Sequence, residues 1–247
     1  MISFDFDPSI RVIYGSGALS EIDQQVRALS SHSILIVSDP GVEQAGITGR
    51  VRDALSLAGL DVRVFADVNE NPTSRDLDAG LALARDGDPV DGIVAVGGGS
   101  TMDCAKGINF LLTNGGRIED FWGFGKADKP MLPSIGIPTT AGTGSEAQSF
   151  ALISQAETHV KMACGDRKAR FRTVILDPEL IASAPPAVKA AAGFDAIAHA
   201  VESYVCTKAN AVSRMYAREA FRLLDASLLP FVEGKPGAEA GDVLLGA

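Results

Sequence analysis

The sequence predicts an α/β fold in which a parallel sheet is followed by the start of an all-helical domain. Short apolar segments alternate with helical segments as far as residue 185, a pattern typical of parallel strands joined by right-handed helical crossovers. After Pro185-Pro186, apolar positions recur at helical spacing and runs of β-branched residues are few. A third observation is a run of glycines between a strand and a helix, a geometry that presents backbone amides to a ligand.

Length and composition exclude several classes of function. The 247 residues suit one large domain or two smaller ones. A formal net charge of −9 and a pI near 4.8 argue against general binding to nucleic acids or anionic membranes. Three separated cysteines indicate reduced thiols rather than a disulfide framework. The first ten residues lack the features of a signal peptide and no long apolar run is present, so we expect a cytoplasmic protein without a membrane span.

The predicted strands and helices follow one another at short intervals. Strands are predicted at residues 11–14, 34–37, 62–65, 93–96, 134–138 and 174–176. Helices are predicted at 18–29, from about 40 to 58, at 74–85, at 100–114 and through 187–247. Ser74 and Ser100 are the expected N-caps of two of these helices, because a serine hydroxyl accepts from the amides of a first turn.

The central motif is the turn Gly97-Gly98-Gly99-Ser100, which directly follows the apolar strand 93–96. Its backbone amides could bind an anion such as a phosphate, because glycine has no Cβ to keep the oxygens away. The usual dinucleotide fingerprint has a further glycine where this chain has Met102. A glycine-rich turn that binds nothing is therefore the alternative interpretation.

Other polar segments are expected at the same edge of the sheet. Asp39 and Asn71 both come after predicted strands, and the loop 139–146 after strand 134–138 is rich in threonine, serine and glycine. Ligands of open α/β sheets bind outside the carboxyl ends of the strands, where these residues would meet. The alternatives are a plain hydroxyl-rich loop and, for Asp39, a turn residue before Pro40.

Asp195 and His199 lie four residues apart in a helical segment, so their side chains share one face. A carboxylate and an imidazole on one face could bind the same divalent metal. A surface Asp–His pair without a ligand is the alternative. The apolar neighbours, among them Phe194 and Ile197, favour a carboxylate that has a partner.

Four stretches resemble the iron-containing, metal-dependent (group III) alcohol dehydrogenase family: GGGSTMDCAK, IPTTAGTGSEAQ, VILDPEL and GFDAIAHAVESYV. They occur in the family's order, and the resemblance extends over essentially the whole chain. It implies a Rossmann-like nucleotide-binding domain, expected here over residues 1–184, and a helical domain that begins with residues 185–247. It also implies that alcohols are oxidised or aldehydes reduced with NAD or NADP, in the cleft between the two domains.

The resemblance implies a cofactor-binding role for each matching residue. The glycine turn with Ser100 would hold the pyrophosphate, Asp39 would meet the adenosine ribose, and Lys161 would lie near the nicotinamide ribose. A carboxylate at Asp39 would repel a 2′-phosphate, so NAD is expected in preference to NADP. Lys161 taken alone would be interpreted as a solvated surface charge. The complete implied set is Asp39, Asn71, Gly97, Gly98, Gly99, Ser100, Asp103, Thr139, Thr140, Thr143 and Lys161.

The metal site that the resemblance implies is incomplete in this sequence. Asp195 and His199 match two of the family's four ligands to Fe²⁺ or Zn²⁺, and the other two are histidines further along the helical domain. The only histidines here are His32, His159 and His199, and the first two match no ligand position. We therefore expect a chain truncated within the helical domain, which in isolation is inactive because two metal ligands are absent.

The function favoured by these observations is a metal-dependent alcohol dehydrogenase or aldehyde reductase that transfers hydride between NAD(P) and a small alcohol or aldehyde. One alternative is a nucleotide-binding fragment without catalysis, because the cofactor loops are complete and the metal site is not. Another is a lyase of the dehydroquinate synthase type, which shares the architecture, although the Gly-Phe-Asp segment before His199 fits the dehydrogenases better. For the complete protein the resemblance implies a homodimer without nucleic-acid or membrane partners.

Overall fold

The structure, a computed structural model, describes residues 3–235 and 240–247. Its strands in chain order are β1 (Arg11–Tyr14), β2 (Ser33–Val37), β3 (Asp61–Phe65), β4 (Gly92–Gly97), β5 (Gly123–Phe124), β6 (Ser134–Pro138), β7 (Phe150–Ser154), β8 (Lys161–Gly165) and β9 (Thr173–Leu176). Its α-helices are α1 (Ile22–Ala28), α2 (Pro40–Gln44), α3 (Ile47–Leu57), α4 (Ser74–Arg85), α5 (Gly99–Asn114), α6 (Pro178–Ala182), α7 (Pro186–Val205), α8 (Ala211–Val232) and α9 (Ala240–Gly246).

A six-stranded parallel sheet with the order β1-β9-β6-β4-β2-β3 forms the centre of the molecule. In β4, an interior strand, Val94 lies opposite Ile36 on one side and Ile135 on the other. Successive residues of β2 enter two different apolar clusters, Ile34 one and Leu35 the other, because the sheet is covered on both faces. The predicted α/β fold class is confirmed, and all six predicted strands lie in this sheet.

A second sheet of three short strands, with the order β5-β8-β7, is not predicted by the sequence analysis. β7 and β8 form an antiparallel hairpin in which Leu152 lies opposite Ala163. Only alternate residues of β7, Ala151 and Ile153, are fully buried, so each strand gives a short and weak periodic signal. The hairpin carries Lys161 at the start of β8, so it determines where that predicted cofactor residue lies.

Several predicted helices have different boundaries in the structure. The helix predicted at 18–29 begins with a 3-10 turn, Ala18–Glu21, before α1. The single helix predicted from 40 to 58 is divided into α2 and α3 at Gly46, whose φ of 77° is incompatible with a continuous helix. The helix predicted through 187–247 consists of α7, α8 and α9, and its residues 236–239 lie outside the described residues. None of the helices described is long and apolar enough to cross a membrane.

The N-cap of α4 is Thr73, so the prediction that Ser74 caps this helix is wrong. The Thr73 hydroxyl accepts from the amide of Arg75 at 3.3 Å. The Asp76 carboxylate in turn accepts from the Thr73 amide at 2.8 Å. Thr73 is preferred because it has an acidic residue three positions on, which completes a reciprocal capping box.

Candidate active site

A cavity of about 940 Å³ lies at the carboxyl ends of β2, β4 and β6, beside the start of α7. This volume is in the range of small-molecule and cofactor sites. Its position agrees with the expectation that ligands of a parallel sheet bind at this edge. The predicted cofactor residues that line it are Asp39, Gly98, Gly99, Ser100, Thr139, Thr140 and Thr143.

Gly98 and Gly99 of the glycine turn bring backbone without side chains to the wall of this cavity. Gly98 is the N-cap of α5 and no side chain caps the helix, so the prediction that Ser100 is the N-cap is wrong. A Cβ on Gly98 would lie 3.2 Å from the Thr140 hydroxyl, and one on Gly99 would lie 2.8 Å from the Thr143 side chain. Uncapped first-turn amides without neighbouring Cβ atoms are suited to bind an anion such as a phosphate group.

Asp39 both caps a helix and borders the cavity. One carboxylate oxygen accepts from the amides of Gly41 and Val42, each at 3.1 Å, and so caps α2. The other accepts from the Thr101 hydroxyl at 2.9 Å. Gly97 lies buried behind this contact at the end of β4, where a Cβ would collide with Thr101. Asp39 is therefore a turn residue before Pro40, and its side chain also forms part of the cavity wall.

A second cavity of about 500 Å³ adjoins the first, and Gly99, Ser100 and Thr143 border both. Asp195 and His199 of α7 form part of its wall. Ser100 and His199 therefore face one continuous cleft, although they come from different parts of the chain. The other predicted cofactor residues that border the second cavity are Asn71, Asp103 and Lys161.

Asn71 connects the loop after β3 to the glycine turn and to the β7–β8 hairpin. Its backbone amide donates to the Ser100 hydroxyl at 3.2 Å. Its side-chain oxygen accepts from Lys161 Nζ at 3.3 Å, and the amide of Ser154 donates to the Pro72 carbonyl at 2.9 Å. Asn71 has a φ of 55°, which asparagine tolerates better than most residues. Lys161 is thus held toward the cleft.

A buried charged cluster lies behind the second cavity, and no sequence motif predicts a role for its central residue, Lys106. Lys106 Nζ donates to the carbonyl of Ser145 at 2.6 Å, to its hydroxyl at 3.1 Å and to the Phe150 carbonyl at 3.0 Å. The Ser145 hydroxyl donates to Asp103 at 2.5 Å. Burial lowers the pKa of Lys106 to about 8, against the opposing attraction of Asp103 and Glu146. Burial also raises the pKa of Asp103, against the opposing effect of Lys106.

His199 is oriented by the loop that follows β6. Its Nδ1 lies 3.2 Å from the Gly142 carbonyl, and its Nε2 lies 3.7 Å from Asp195 Oδ1. A proton on Nδ1 donated to that carbonyl leaves Nε2 with an unshared electron pair beside a carboxylate. A Cβ on Gly142 would collide with the carbonyl of Ala192, so the loop and α7 are in direct backbone contact. The Asp195–His199 pair is suited to share a cation.

The described residues do not complete a metal site. Among residues 3–235 and 240–247, no group of three or more His, Cys, Asp or Glu side chains is placed to hold a metal ion. Asp195 and His199 are about half exposed and supply two donors, whereas a closed site takes about four. Their role as metal ligands stays a prediction.

The fold and the cleft place the chain among the open α/β proteins whose ligand site lies at the carboxyl edge of a parallel sheet. Within that class the sequence profile of the iron-containing alcohol dehydrogenases matches residues 8–178. The chain belongs to this family, as the sequence motifs predict.

The chain is similar over nearly its whole length to longer proteins. It is 38% identical to alcohol dehydrogenase 4 of Schizosaccharomyces pombe, over 98% of this chain and 57% of that protein. It is 35% identical to the NAD-dependent methanol dehydrogenase of Bacillus methanolicus, over 97% of this chain and 62% of that protein. A crystal structure of 1,3-propanediol oxidoreductase superposes with a TM-score of 0.91 at 32% identity, over 96% of this chain and 63% of that one. The chain thus spans about three fifths of the length of these relatives.

Proposed function

We propose that this chain provides the nucleotide-binding part of an NAD-dependent dehydrogenase that interconverts a small alcohol and its aldehyde. The observation that carries the proposal is the continuity of the cleft, because Gly99, Ser100 and Thr143 border both cavities. An extended ligand held by its phosphates at the glycine turn can therefore reach the space in front of His199. Membership of the family, and relatives named alcohol and methanol dehydrogenases, support this reaction class.

The residues of the cleft fit the successive parts of a dinucleotide. NAD, when bound, supplies the chemistry of hydride transfer. The amides at the start of α5 would hold its pyrophosphate, and the hydroxyls of Thr139, Thr140 and Thr143 would line it. Lys161, held by Asn71, would orient the ribose nearer the second cavity. The contribution of these residues is binding, orientation and exclusion of water.

NAD is proposed in preference to NADP because Asp39 presents a carboxylate to the nucleotide cavity. A second negative charge, on the 2′-phosphate of NADP, would be repelled there, whereas ribose hydroxyls could donate to the carboxylate. The relative from Bacillus methanolicus is named as NAD-dependent, which agrees with this preference.

We further propose Asp195 and His199 as two ligands of Fe²⁺ or Zn²⁺. Among the described residues, no third His, Cys, Asp or Glu side chain is placed to join them. Residues 1–184 and 185–247 are proposed as separate domains, which is supported by the start of α7 at Pro186. For the complete protein we propose a homodimer in the cytoplasm.

The test combines a fluorescence titration of NADH with an assay of NADH oxidation by short aldehydes. The titration is expected to show saturable binding by this chain. The assay, run with and without added Fe²⁺ or Zn²⁺ on a full-length version, is expected to show turnover that the metal stimulates. Failure to bind NADH would reject the proposal for this chain, and absence of metal-stimulated turnover would reject the dehydrogenase reaction.

A nucleotide-binding module without catalysis is the second candidate, and it is favoured by the two-donor metal site of the described residues. It predicts NADH binding by this chain with no aldehyde reduction at any concentration of Fe²⁺ or Zn²⁺. Measurable turnover by the 247-residue chain would overturn it. A lyase of the dehydroquinate synthase type is disfavoured, because the family whose profile matches is that of the alcohol dehydrogenases.

A further inference from the structure

Lys106 is a lysine in the protein interior, 2% exposed, on the face of α5 that packs against the loop after β6 and against β7. Its three N–H donors have three acceptors: the carbonyl and hydroxyl of Ser145 and the carbonyl of Phe150. The Phe171 ring lies 5.3 Å from the ammonium and closes its remaining side. The charge is therefore both enclosed and fully hydrogen-bonded, which is the condition under which a buried ammonium is tolerated.

These contacts hold both ends of the segment from Ser145 to Phe150. The segment leads from the loop that forms the wall of the cleft into β7. The Ser145 hydroxyl, which accepts from Lys106, donates in turn to the Asp103 carboxylate. Ser145 and Asp103 both border the second cavity. Thr143, two residues before Ser145, borders both cavities and accepts from the Ser145 amide at 3.3 Å.

We infer that Lys106 is a positioning residue for the cofactor: it fixes Ser145, Asp103 and, through Ser145, Thr143 at the wall of the cleft. The inference rests on the proposed binding of NAD. Lys106 lies behind the wall and acts through the residues that it holds, so it is not itself a contact of the ligand.

The protonation state of Lys106 decides whether this arrangement can persist. A neutral amine has two N–H donors and one lone pair, so one of the three acceptors would lose its donor and face a lone pair. The charged groups that face Lys106 are Asp103 on its own helix and Glu146 on the loop, and Lys161 acts on Asp103 from β8. Since burial lowers the pKa of Lys106 to about 8, the wall should loosen as the pH rises through that value.

The experiment is a titration of NADH fluorescence from about pH 6.5 to about pH 9.5, a range that spans this titration. The wild type, Lys106→Met and Lys168→Met are compared. Lys168 is the control for the loss of a hydrogen-bonded lysine, because its Nζ bonds the Ala127 carbonyl at 2.8 Å and the Asp166 carboxylate at 3.1 Å. Its side chain is 41% exposed and lines neither cavity. Wild type and Lys168→Met should lose roughly tenfold in affinity as Lys106 deprotonates, the equivalent of one charge-assisted hydrogen bond. Lys106→Met should bind NADH weakly at every pH, and its affinity should show no step with pH.

A ligand-free measurement accompanies the titration so that the two proposals can fail separately. Amide hydrogen exchange of residues 139–150 should be faster in Lys106→Met than in wild type and unchanged in Lys168→Met. Ser145→Ala, which keeps Lys106 and both of its carbonyl acceptors, gives a milder variant if Lys106→Met does not fold: exchange should be faster and NADH binding weaker than in wild type, while the pH step is kept. Wild-type affinity in either variant, a pH step retained in Lys106→Met, or unchanged exchange would overturn the inference. No NADH binding by the wild type would instead reject the proposed function, and the exchange data would still decide whether Lys106 fixes the wall.

Discussion

At the scale of single residues, Asp39 both caps a helix and lines the first cavity. One oxygen caps α2 and the other accepts from Thr101, while the side chain still borders the cavity proposed to bind the nucleotide. Asparagine caps helices as well as aspartate does and accepts through one oxygen. The charge of Asp39 can therefore be removed while the cap is kept.

Asp39→Asn is expected to weaken the discrimination between NADH and NADPH. The ratio of their dissociation constants should fall roughly tenfold, because the repulsion of the 2′-phosphate is lost, and the free energy of unfolding should change by less than about 0.5 kcal/mol. Asp39→Ala, as the control, should cost about 1 kcal/mol of stability through loss of the cap. Fluorescence titrations and denaturant unfolding measure both effects. An unchanged ratio in Asp39→Asn would mean that the side chain is a turn residue only.

Lys106 should also make the stability of the whole chain depend on pH. Its pKa is lowered from 10.5 to about 8 on folding, so between these values the unfolded state binds more protons than the folded state. The free energy of unfolding of the wild type, relative to Lys106→Met, should therefore rise with pH in this window, by at most about 1.4 kcal/mol per pH unit. Denaturant unfolding at several pH values tests this, with Lys168→Met as the control. A difference that does not vary with pH would show that the pKa of Lys106 is not depressed.

Most residues that line the cleft could be located from the sequence, whereas Lys106 behind its wall could not. Asp39 and the glycine turn follow apolar strands, and the carboxyl ends of parallel strands meet at one edge whatever the details of packing. A lysine in a helix is normally solvated, so Lys106 carried no signal by itself. The signal available was its apolar neighbours one turn away in both directions, Met102 and Phe110, which are both buried. The three acceptors that bond Lys106 belong to Ser145 and Phe150, which are distant from it in sequence, so no local sequence pattern predicts them.

At the scale of elements, the strands of the main sheet were predictable and the small sheet was not. β2 and β4 are buried on both faces and therefore form continuous apolar runs. β7 and β8 are five residues each and are buried on one face, and the turn between them contains His159 with a φ of 58°. The hairpin packs on α5 through β7, and a tertiary contact of this kind leaves no local pattern in the sequence.

The contact between the loop after β6 and α7 provides a prediction about element packing. Gly142→Ala should destabilise the chain by about 1–3 kcal/mol, because its Cβ would collide with the Ala192 backbone, which cannot move as a side chain does. Gly49→Ala is the control: it lies in α3, where a Cβ meets only the Arg52 side chain at 3.7 Å, and it should be neutral or stabilising by up to about 1 kcal/mol. If the unfolding curves of Gly142→Ala and Gly49→Ala coincide, the close approach of the loop and α7 is contradicted.

At the scale of the whole molecule, α7 and α8 expose large apolar side chains. Phe194 is 71% exposed, Val205 69% and Leu229 63%. Helix faces of this kind are normally covered by a partner or by further chain. Phe194 and Val205 lie on α7, the helix that also carries Asp195 and His199.

This exposure predicts that the 247-residue chain self-associates in solution. Light scattering after gel filtration should show species larger than the monomer mass of 25.7 kDa, and Val205→Glu should reduce their proportion by placing a charge on the apolar face. A charge change at an exposed site away from the face, Leu57→Glu, serves as the control and should leave the distribution unchanged. A monodisperse monomer of the wild type would contradict the prediction.

The central claim for the whole molecule is that the glycine turn, proposed to bind the nucleotide, and His199 face the same cleft. The chain has three histidines, so an NMR spectrum of their imidazole groups contains three sets of signals, and His199→Asn identifies one of them. His32 is the internal control, because it precedes β2 at the opposite edge of the sheet and its side chain is 82% exposed. Saturating NADH should shift the His199 signals and leave those of His32 in place, whereas AMP, which carries the adenosine half alone, should shift neither. A His199 signal that does not respond to saturating NADH would contradict the shared cleft.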